Sequence, residues 1–170
     1  MTPGEVADLL GSSGQAFAST LNAIPPGVAS WHPAPGEWCV NEVVGHVIVT
    51  DKNGFAGRIR VILGGDEPDL PKYDRDGLQK TRDDCARDPK ALAHEMLEVR
   101  GQSLELIRSL GPEQLQRGGL HPDVGRLTVD DLLHEWVHHD GNHLRQALAN
   151  VQAYVWPNMG NARRFSRPEQ

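Results

Sequence analysis

The chain has 170 residues, with 17 lysines and arginines against 23 aspartates and glutamates, so its formal net charge is −6. This length suits a single domain that buries its own core, and an acidic chain repels phosphate backbones, which argues against nucleic acid as the main partner. No apolar run reaches the ~18 residues of a membrane span, and Cys39 and Cys85 lack the spacing of a disulfide scaffold. We therefore expect a cytoplasmic protein with no membrane partner.

The first predicted helix begins at a capping box. Thr2 and Glu5 have the spacing of that motif, and apolar residues then recur at helical intervals as far as Leu21. The helix is predicted to end before Pro25 and Pro26, because proline cannot continue a helix.

A second helix is predicted over residues 40–63, which are apolar on most sides and therefore typical of a buried element. Its valines and isoleucines would also fit a strand, but the length favours a helix. Cys39 and Glu42 have capping-box spacing, with cysteine where serine or threonine usually accepts the hydrogen bond. We interpret Cys39 as a substitute cap rather than as a nucleophile, although a helix start favours the thiolate.

Residues 64–88 are rich in charged side chains and are predicted to form a surface connection or a short helix. A third helix is expected from Asp88-Pro89, where an N-cap precedes a proline at the first helical position, to Leu110.

The last long helix is predicted from Thr128 to about Ala149. Four long amphipathic helices without a convincing strand pair predict an all-α four-helix bundle. Residues 1–160 are expected to form this single domain, followed by a flexible tail over residues 161–170.

Histidine is the unusual feature of the composition, because four of the eight histidines fall within ten residues of the last helix. They form two His-x-x-x-His pairs, and each pair places two imidazoles one turn apart, close enough to share a metal ion. The apolar sector predicted to be buried on this helix comprises Leu132, Leu133, Trp136, Val137, Leu144, Ala147, Leu148 and Val151. His139 and His143 lie at one edge of that sector, whereas His134 and His138 lie on the opposite, polar side.

We therefore predict His139 and His143 as the metal-binding pair. The alternative is that they are partly buried helix residues whose hydrogen bonds are satisfied within the protein. A third ligand is needed, and His46 is the candidate because it lies on the other strongly buried helix, although away from the centre of its apolar sector. The pattern lacks His-Glu-x-x-His, which excludes a zincin.

Asp140 lies near the middle of the apolar face of the last helix. A carboxylate there should be paired or hydrogen-bonded, and it is a candidate outer partner of the metal site. The alternative is a partly exposed aspartate near a kink at Gly141. Glu42 is a second candidate outer partner, and Glu42, Glu135 and Asp51 are candidate bases.

Two blocks of the sequence together resemble the DinB/YfiT-like superfamily. The first is Gly36-Glu37-Trp38-Cys39-Val40-Asn41-Glu42-Val43-Val44-Gly45-His46, and it continues through Arg58-Ile59-Arg60 to Asp66-Glu67-Pro68. The second comprises Gly125-Arg126-Leu127-Thr128-Val129-Asp130-Asp131-Leu132-Leu133 and then His139-Asp140-x-x-His143-Leu144-x-Gln146. The family usually has serine at the position of Cys39.

The resemblance implies a four-helix bundle that holds a divalent metal ion (Zn, Ni, Fe or Mn) through His46, His139 and His143. It also implies a homodimer and, in some relatives, a transferase or isomerase that uses a low-molecular-weight thiol. Three imidazoles leave a coordination position for water or substrate, as in catalytic sites. We therefore expect a metal-dependent transferase, isomerase or hydrolase acting on a small molecule; the alternatives are a non-catalytic metal-binding stress or interaction protein and a scaffold without metal.

Overall fold

The structure, a computed structural model, describes residues 1–70, 72, 77 and 81–166. The helices, in chain order, are α1 (Pro3–Ala23), α2 (Pro26–Ala29), α3 (Val40–Val49), a π-helical turn (Thr50–Phe55), α4 (Ala56–Gly64), a 3-10 turn (Asp84–Ala86), α5 (Pro89–Arg108), α6 (Pro112–Leu115) and α7 (Val129–Val155), before a final 3-10 segment (Trp156–Ser166). Strands β1 (Gly118–His121) and β2 (Gly125–Thr128) lie between α6 and α7.

The long helices form a four-helix bundle, as predicted. Helix α1 packs against α5 and α7, and α3 packs against the same two helices. The chain from α3 through α4 supplies the fourth member of the bundle. No helix in the described ranges combines the length and apolar character that a membrane crossing requires.

Three of the predicted helix starts are confirmed at their caps. The Thr2 hydroxyl accepts the Glu5 N–H at 3.2 Å, and the Thr128 hydroxyl accepts the Asp131 N–H at 3.0 Å. The Asp88 carboxylate accepts the Lys90 N–H at 3.1 Å. Each bond satisfies a backbone donor that the first helical turn leaves without an intrahelical partner.

Two helical predictions need correction. The predicted continuous helix over residues 40–63 is interrupted by the π-helical turn, a local widening that hydrophobic periodicity does not report. Helix α7 continues to Val155, six residues beyond the predicted end, because no strong helix breaker occurs before Pro157.

The expectation that no strand pair is present was wrong. Strands β1 and β2 form an antiparallel hairpin, in which Gly118 is opposite Thr128 and His121 is opposite Gly125. Leu120 also exchanges backbone hydrogen bonds with Pro68 and Leu70, at 2.9 and 2.8 Å. The strands are four residues long and include three glycines, so they lack the alternating pattern from which strands are recognised.

The predicted boundaries are described only in part. Residues 161–166 belong to the final 3-10 segment, where the Arg163 guanidinium donates to the Trp156 carbonyl at 2.9 Å. The rest of the predicted tail, and much of the predicted connection over residues 64–88, lies outside the described residues.

A buried polar layer separates two apolar clusters inside the bundle. One cluster contains Leu10, Ile59, Ile107 and Trp136, and the other contains Phe17, Val44, Met96 and Ala147. Helices α1, α5 and α7 each pass from one cluster to the other, as does the chain from α3 through α4. The buried side chains between the clusters are polar on three of these four members: Asp51 after α3, Arg100 and Ser103 on α5, and Asp140 on α7. The core is thus divided near its middle, close to the level of the candidate metal centre.

Gly45 on α3 has room for no side chain. A Cβ atom there would lie 1.9 Å from the Asp84 carboxylate, which is buried and held by the guanidinium groups of Arg82 and Arg87. Gly45→Ala should therefore lower the free energy of unfolding by about 1–3 kcal/mol. The matched control is Gly141→Ala on α7, where a Cβ meets nothing within 4 Å and should stabilise the helix by about 0.5–1 kcal/mol. Denaturant midpoints that move in the same direction for both variants would contradict this account.

Candidate metal centre

Three histidines from two helices converge at the predicted site. His46 on α3 is buried, with 3% of its surface exposed, whereas His139 and His143 on α7 are half-buried. One ring nitrogen of each lies within 4.8 Å of one nitrogen of each of the others, and the Nε2 atoms of His46 and His139 are 3.1 Å apart. Among the described residues, these three histidines make up the whole group of potential metal ligands at this site.

The geometry of this group fits a divalent transition metal ion. Two imidazole nitrogens that each lie about 2.0–2.1 Å from one ion are about 3.0–3.4 Å apart. The distance between Nε2 of His46 and Nε2 of His139 falls within this range. An all-imidazole donor set suits zinc, nickel and iron better than manganese, which prefers carboxylate oxygens. The structure thus brings together the three predicted ligands; metal binding by them stays a prediction.

Gln146 orients one of the predicted ligands. Its Oε1 atom lies 2.9 Å from Nδ1 of His143, so Nδ1 carries the proton of the neutral ring and Nε2 presents a lone pair to the site. This glutamine is one helical turn beyond His143, within the second motif block.

Replacing Gln146 by leucine should weaken metal binding. The expected loss is about 10–100-fold in affinity, because the ring would no longer be held in the ligating tautomer and orientation. Competition with a chromogenic chelator measures it. Gln152→Leu is the matched control, since Gln152 is exposed on the same helix. Equal affinities of the two variants would show that Gln146 does not act on His143.

Aromatic rings form the walls of the site. The Trp38 ring stacks on His143 with centroids 6.3 Å apart and lies 5.0 Å from the His46 ring. Phe55 meets the edge of His139 at 5.3 Å. The Asn150 side chain donates to the Trp38 carbonyl at 2.7 Å and so fixes that wall to α7.

Thr50 brings a hydroxyl to the site. Its Oγ1 lies 3.4 Å from Nε2 of His46, the same nitrogen that faces His139. Thr50 begins the π-helical turn, a form of helix that is frequent at functional sites. The sequence analysis did not identify Thr50, Phe55 or Asn150 as site residues. The positions of Thr50 and Phe55 depend on the π-helical turn, and Asn150 lies beyond the predicted end of the last helix.

Arg100 is the centre of the buried polar layer beneath the histidines. Its guanidinium donates to Asp51 at 2.7 Å and to Asp140 at 2.6 and 3.2 Å, and all three residues are at most 2% exposed. The Ser103 hydroxyl donates to Asp51 at 2.5 Å, and the Ser13 hydroxyl donates to Asp140. The prediction that Asp140 is paired is confirmed, and the alternative of an exposed aspartate was wrong.

Charge in this layer is unbalanced, because one guanidinium faces two carboxylates. Burial raises the pKa of Asp51 more than Arg100 and Ser103 lower it. Burial by itself lowers the pKa of Arg100, but Asp140 and Asp51 outweigh it and hold that pKa above its ordinary value. Arg100 therefore stays charged. Its ion pairs link α5 to Asp51, which follows Thr50, and to Asp140, which follows His139.

The remaining predicted residues lie elsewhere. His134 and His138 are exposed, and Glu135 lies 3.9 Å from His138. The Glu42 carboxylate accepts the Cys39 N–H at 2.8 Å, at the start of α3. The prediction that Leu148 is buried was wrong: it is 45% exposed, at the edge of a sector in which Leu144, Ala147 and Val151 pack against the core.

Comparison with known proteins agrees with this architecture. A family model described as the DinB superfamily matches residues 9–147. The chain belongs to the DinB superfamily.

One named relative is similar to the chain in both sequence and fold. It is 28% identical over 122 residues to YfiT of Bacillus subtilis (strain 168), named as a candidate metal-dependent hydrolase, and the match covers 71% of this chain and 68% of YfiT. A solved YfiT structure, described as a four-helix bundle of unusual topology, superposes with a TM-score of 0.81 at 21% identity and covers 91% of this chain and 88% of that one.

Two further structures share the fold at lower identity. A conserved protein from Enterococcus faecalis gives a TM-score of 0.68 at 14% identity and covers 91% of this chain and 98% of that one. A mycothiol-dependent maleylpyruvate isomerase gives 0.66 at 13% identity and covers 85% of this chain and 60% of that one. At these identities the likeness concerns the fold.

Proposed function

We propose that this member of the DinB superfamily is a metal-dependent enzyme that hydrolyses a small molecule. The observation that carries the proposal is the convergence of His46, His139 and His143, with one nitrogen of each within 4.8 Å of the others. The sequence relation to YfiT, itself named as a candidate metal-dependent hydrolase, supports this reaction class.

The partial exposure of two of the three histidines supports a catalytic role. His139 and His143 are half-buried rather than buried, and three protein donors would leave coordination positions for water and substrate. When bound there, a divalent ion supplies Lewis-acid polarisation of a substrate oxygen and lowers the pKa of water.

The side chains around the histidines have separate tasks in this proposal. The Thr50 hydroxyl accepts or donates a hydrogen bond next to Nε2 of His46 and thereby orients a water or a substrate oxygen. Trp38 and Phe55 exclude bulk water from the ring faces. Gln146 holds the proton on Nδ1 of His143.

Turnover measurements on metal-loaded protein test the proposal. We expect hydrolysis within a panel of small esters, amides and lactones, lost on His46→Ala and kept in His134→Ala, whose histidine is exposed and outside the group. Consumption of an added low-molecular-weight thiol, with no hydrolysis, would instead support the thiol-dependent transferase or isomerase alternative. Stoichiometric metal binding without either activity would support the alternative of a non-catalytic metal-binding protein.

We also propose that the protein works as a homodimer. Large apolar side chains remain exposed near and beyond the end of α7: Leu148, Val155 and Trp156 are 40–45% exposed, and Phe165 is 93% exposed. Burying them against a second copy would be favourable. Light scattering should give twice the 18.7 kDa chain mass, and a value equal to one chain would contradict the proposal.

A further inference from the structure

A second cluster of metal-ligating side chains lies at the N-terminal end of α3. His32 comes from the loop after α2, Cys39 and Glu42 from the start of α3, and Cys85 from the 3-10 turn. One donor atom of each lies within 4.8 Å of one donor atom of each of the others. The four residues belong to three separate stretches of chain, so the fold and not local sequence brings them together.

The histidine of this cluster presents a lone pair to a thiol. Nδ1 of His32 lies 2.7 Å from the Glu37 carbonyl oxygen, which can only accept, so Nδ1 carries the proton of the neutral ring. Nε2 is then the free acceptor, and it lies 3.3 Å from Sγ of Cys85. A histidine whose second nitrogen donates to a backbone carbonyl is the usual arrangement for a metal ligand.

The separation of His32 from Cys85 and the donor chemistry of the four side chains fit zinc. A nitrogen about 2.0–2.1 Å and a sulfur about 2.3 Å from one tetrahedral ion lie about 3.5 Å apart, close to the separation of His32 from Cys85. Two sulfurs, one imidazole and one carboxylate supply four donors, the number of a closed structural zinc site. Cysteine thiolates select zinc over magnesium, calcium or manganese.

We propose that His32, Cys39, Glu42 and Cys85 form a second, structural zinc site, distinct from the three-histidine group. As the ion binds, each thiol releases its proton to solvent and forms a zinc–sulfur bond, with no change of oxidation state. The site joins the loop before α3 and the 3-10 turn to the start of α3. It is adjacent in sequence to Trp38, whose ring packs on His46 and His143, so its occupancy holds one wall of the catalytic site in place.

The Cys39 thiol is buried. Burial raises the pKa of this thiol well above its ordinary value, and its hydrogen bond with Cys85 adds to that effect.

Cobalt titration of the untagged, reduced protein tests this proposal independently of the proposed function. Thiolate ligation gives cobalt a near-ultraviolet charge-transfer band that imidazole ligands do not give. We expect this band in the wild type and in His139→Ala, and its loss in the double variant Cys39→Ser/Cys85→Ser. The double variant should still bind one equivalent at the histidines, and serine can replace Cys39 at a helix start.

A single substitution at an exposed position controls for loss of the fold in the double variant. His32 is exposed, so His32→Gln should leave the melting temperature without metal unchanged while weakening zinc binding by about 10-fold or more. Absence of the charge-transfer band in the wild type, with both thiols reduced and titratable, would overturn the proposal. A Cys39–Cys85 disulfide that persists under reductant would overturn it as well.

Discussion

Replacing His139 or His143 by alanine is expected to abolish stoichiometric binding of a divalent metal ion at the three-histidine group. Each substitution removes one of three converging nitrogens and leaves too few donors for a stable site. The affinity should fall by more than about 100-fold, since even loss of an outer hydrogen bond costs about 10–100-fold. Elemental analysis after dialysis of protein without a polyhistidine tag measures the effect, and carrying Cys39→Ser/Cys85→Ser in every sample confines it to this group.

The neighbouring histidines of α7 provide the controls. His134 and His138 are exposed on the opposite face, so alanine at either position should leave the metal content unchanged. His46→Ala should behave like the His139 and His143 variants. Equal loss of metal in all variants, including those of His134 and His138, would contradict the assignment of ligands to one face of the helix.

Replacing Arg100 by methionine is expected to have the largest effect on stability. The substitution keeps the apolar stem but leaves the buried Asp51 and Asp140 without their guanidinium partner. Removing one partner of a buried ion pair costs about 3–5 kcal/mol, because an uncompensated charge remains in the core. Denaturant unfolding of the protein without metal measures this loss directly.

Arg108→Met on the same helix is the matched control. The Arg108 guanidinium pairs with Asp8 at 3.3 Å, but both side chains are more than half exposed, so the change should stay within about 0.5 kcal/mol. Adding Asp51→Asn and Asp140→Asn to Arg100→Met should restore part of the loss by removing the uncompensated charges. Equal stability of the two arginine variants would show that the buried layer contributes little.

Helix starts and the buried faces of helices could be predicted from the sequence. Caps at Thr2, Asp88 and Thr128 mark three helix starts, and the apolar sector of α7 places His139 and His143 at its edge and His134 and His138 away from it. Periodicity works here because one helical face is buried along most of its length, so each residue's angle on the helix decides its surroundings.

Features that depend on contacts between distant segments could not be predicted in this way. The π-helical turn shifts Phe55 onto His139, and the hairpin strands are too short and too rich in glycine to show alternation. The pairing of Asp140 was expected from its position, but its partner Arg100 lies 40 residues away on α5. The Glu42 carboxylate accepts the Cys39 N–H, as the capping-box spacing predicts, but nothing in the local sequence links this helix start to His32 and Cys85.

Anomalous diffraction from crystals of untagged protein, recorded at the absorption edge of the bound metal, shows directly whether the three histidines hold the ion. We expect an anomalous peak about 2.0–2.1 Å from Nε2 of His46, His139 and His143, with the remaining coordination positions taken by exchangeable ligands. A peak elsewhere but none at that position, in crystals of protein that binds a stoichiometric metal ion in solution, would contradict this assignment. So would a peak with a fourth protein side chain closing the coordination sphere.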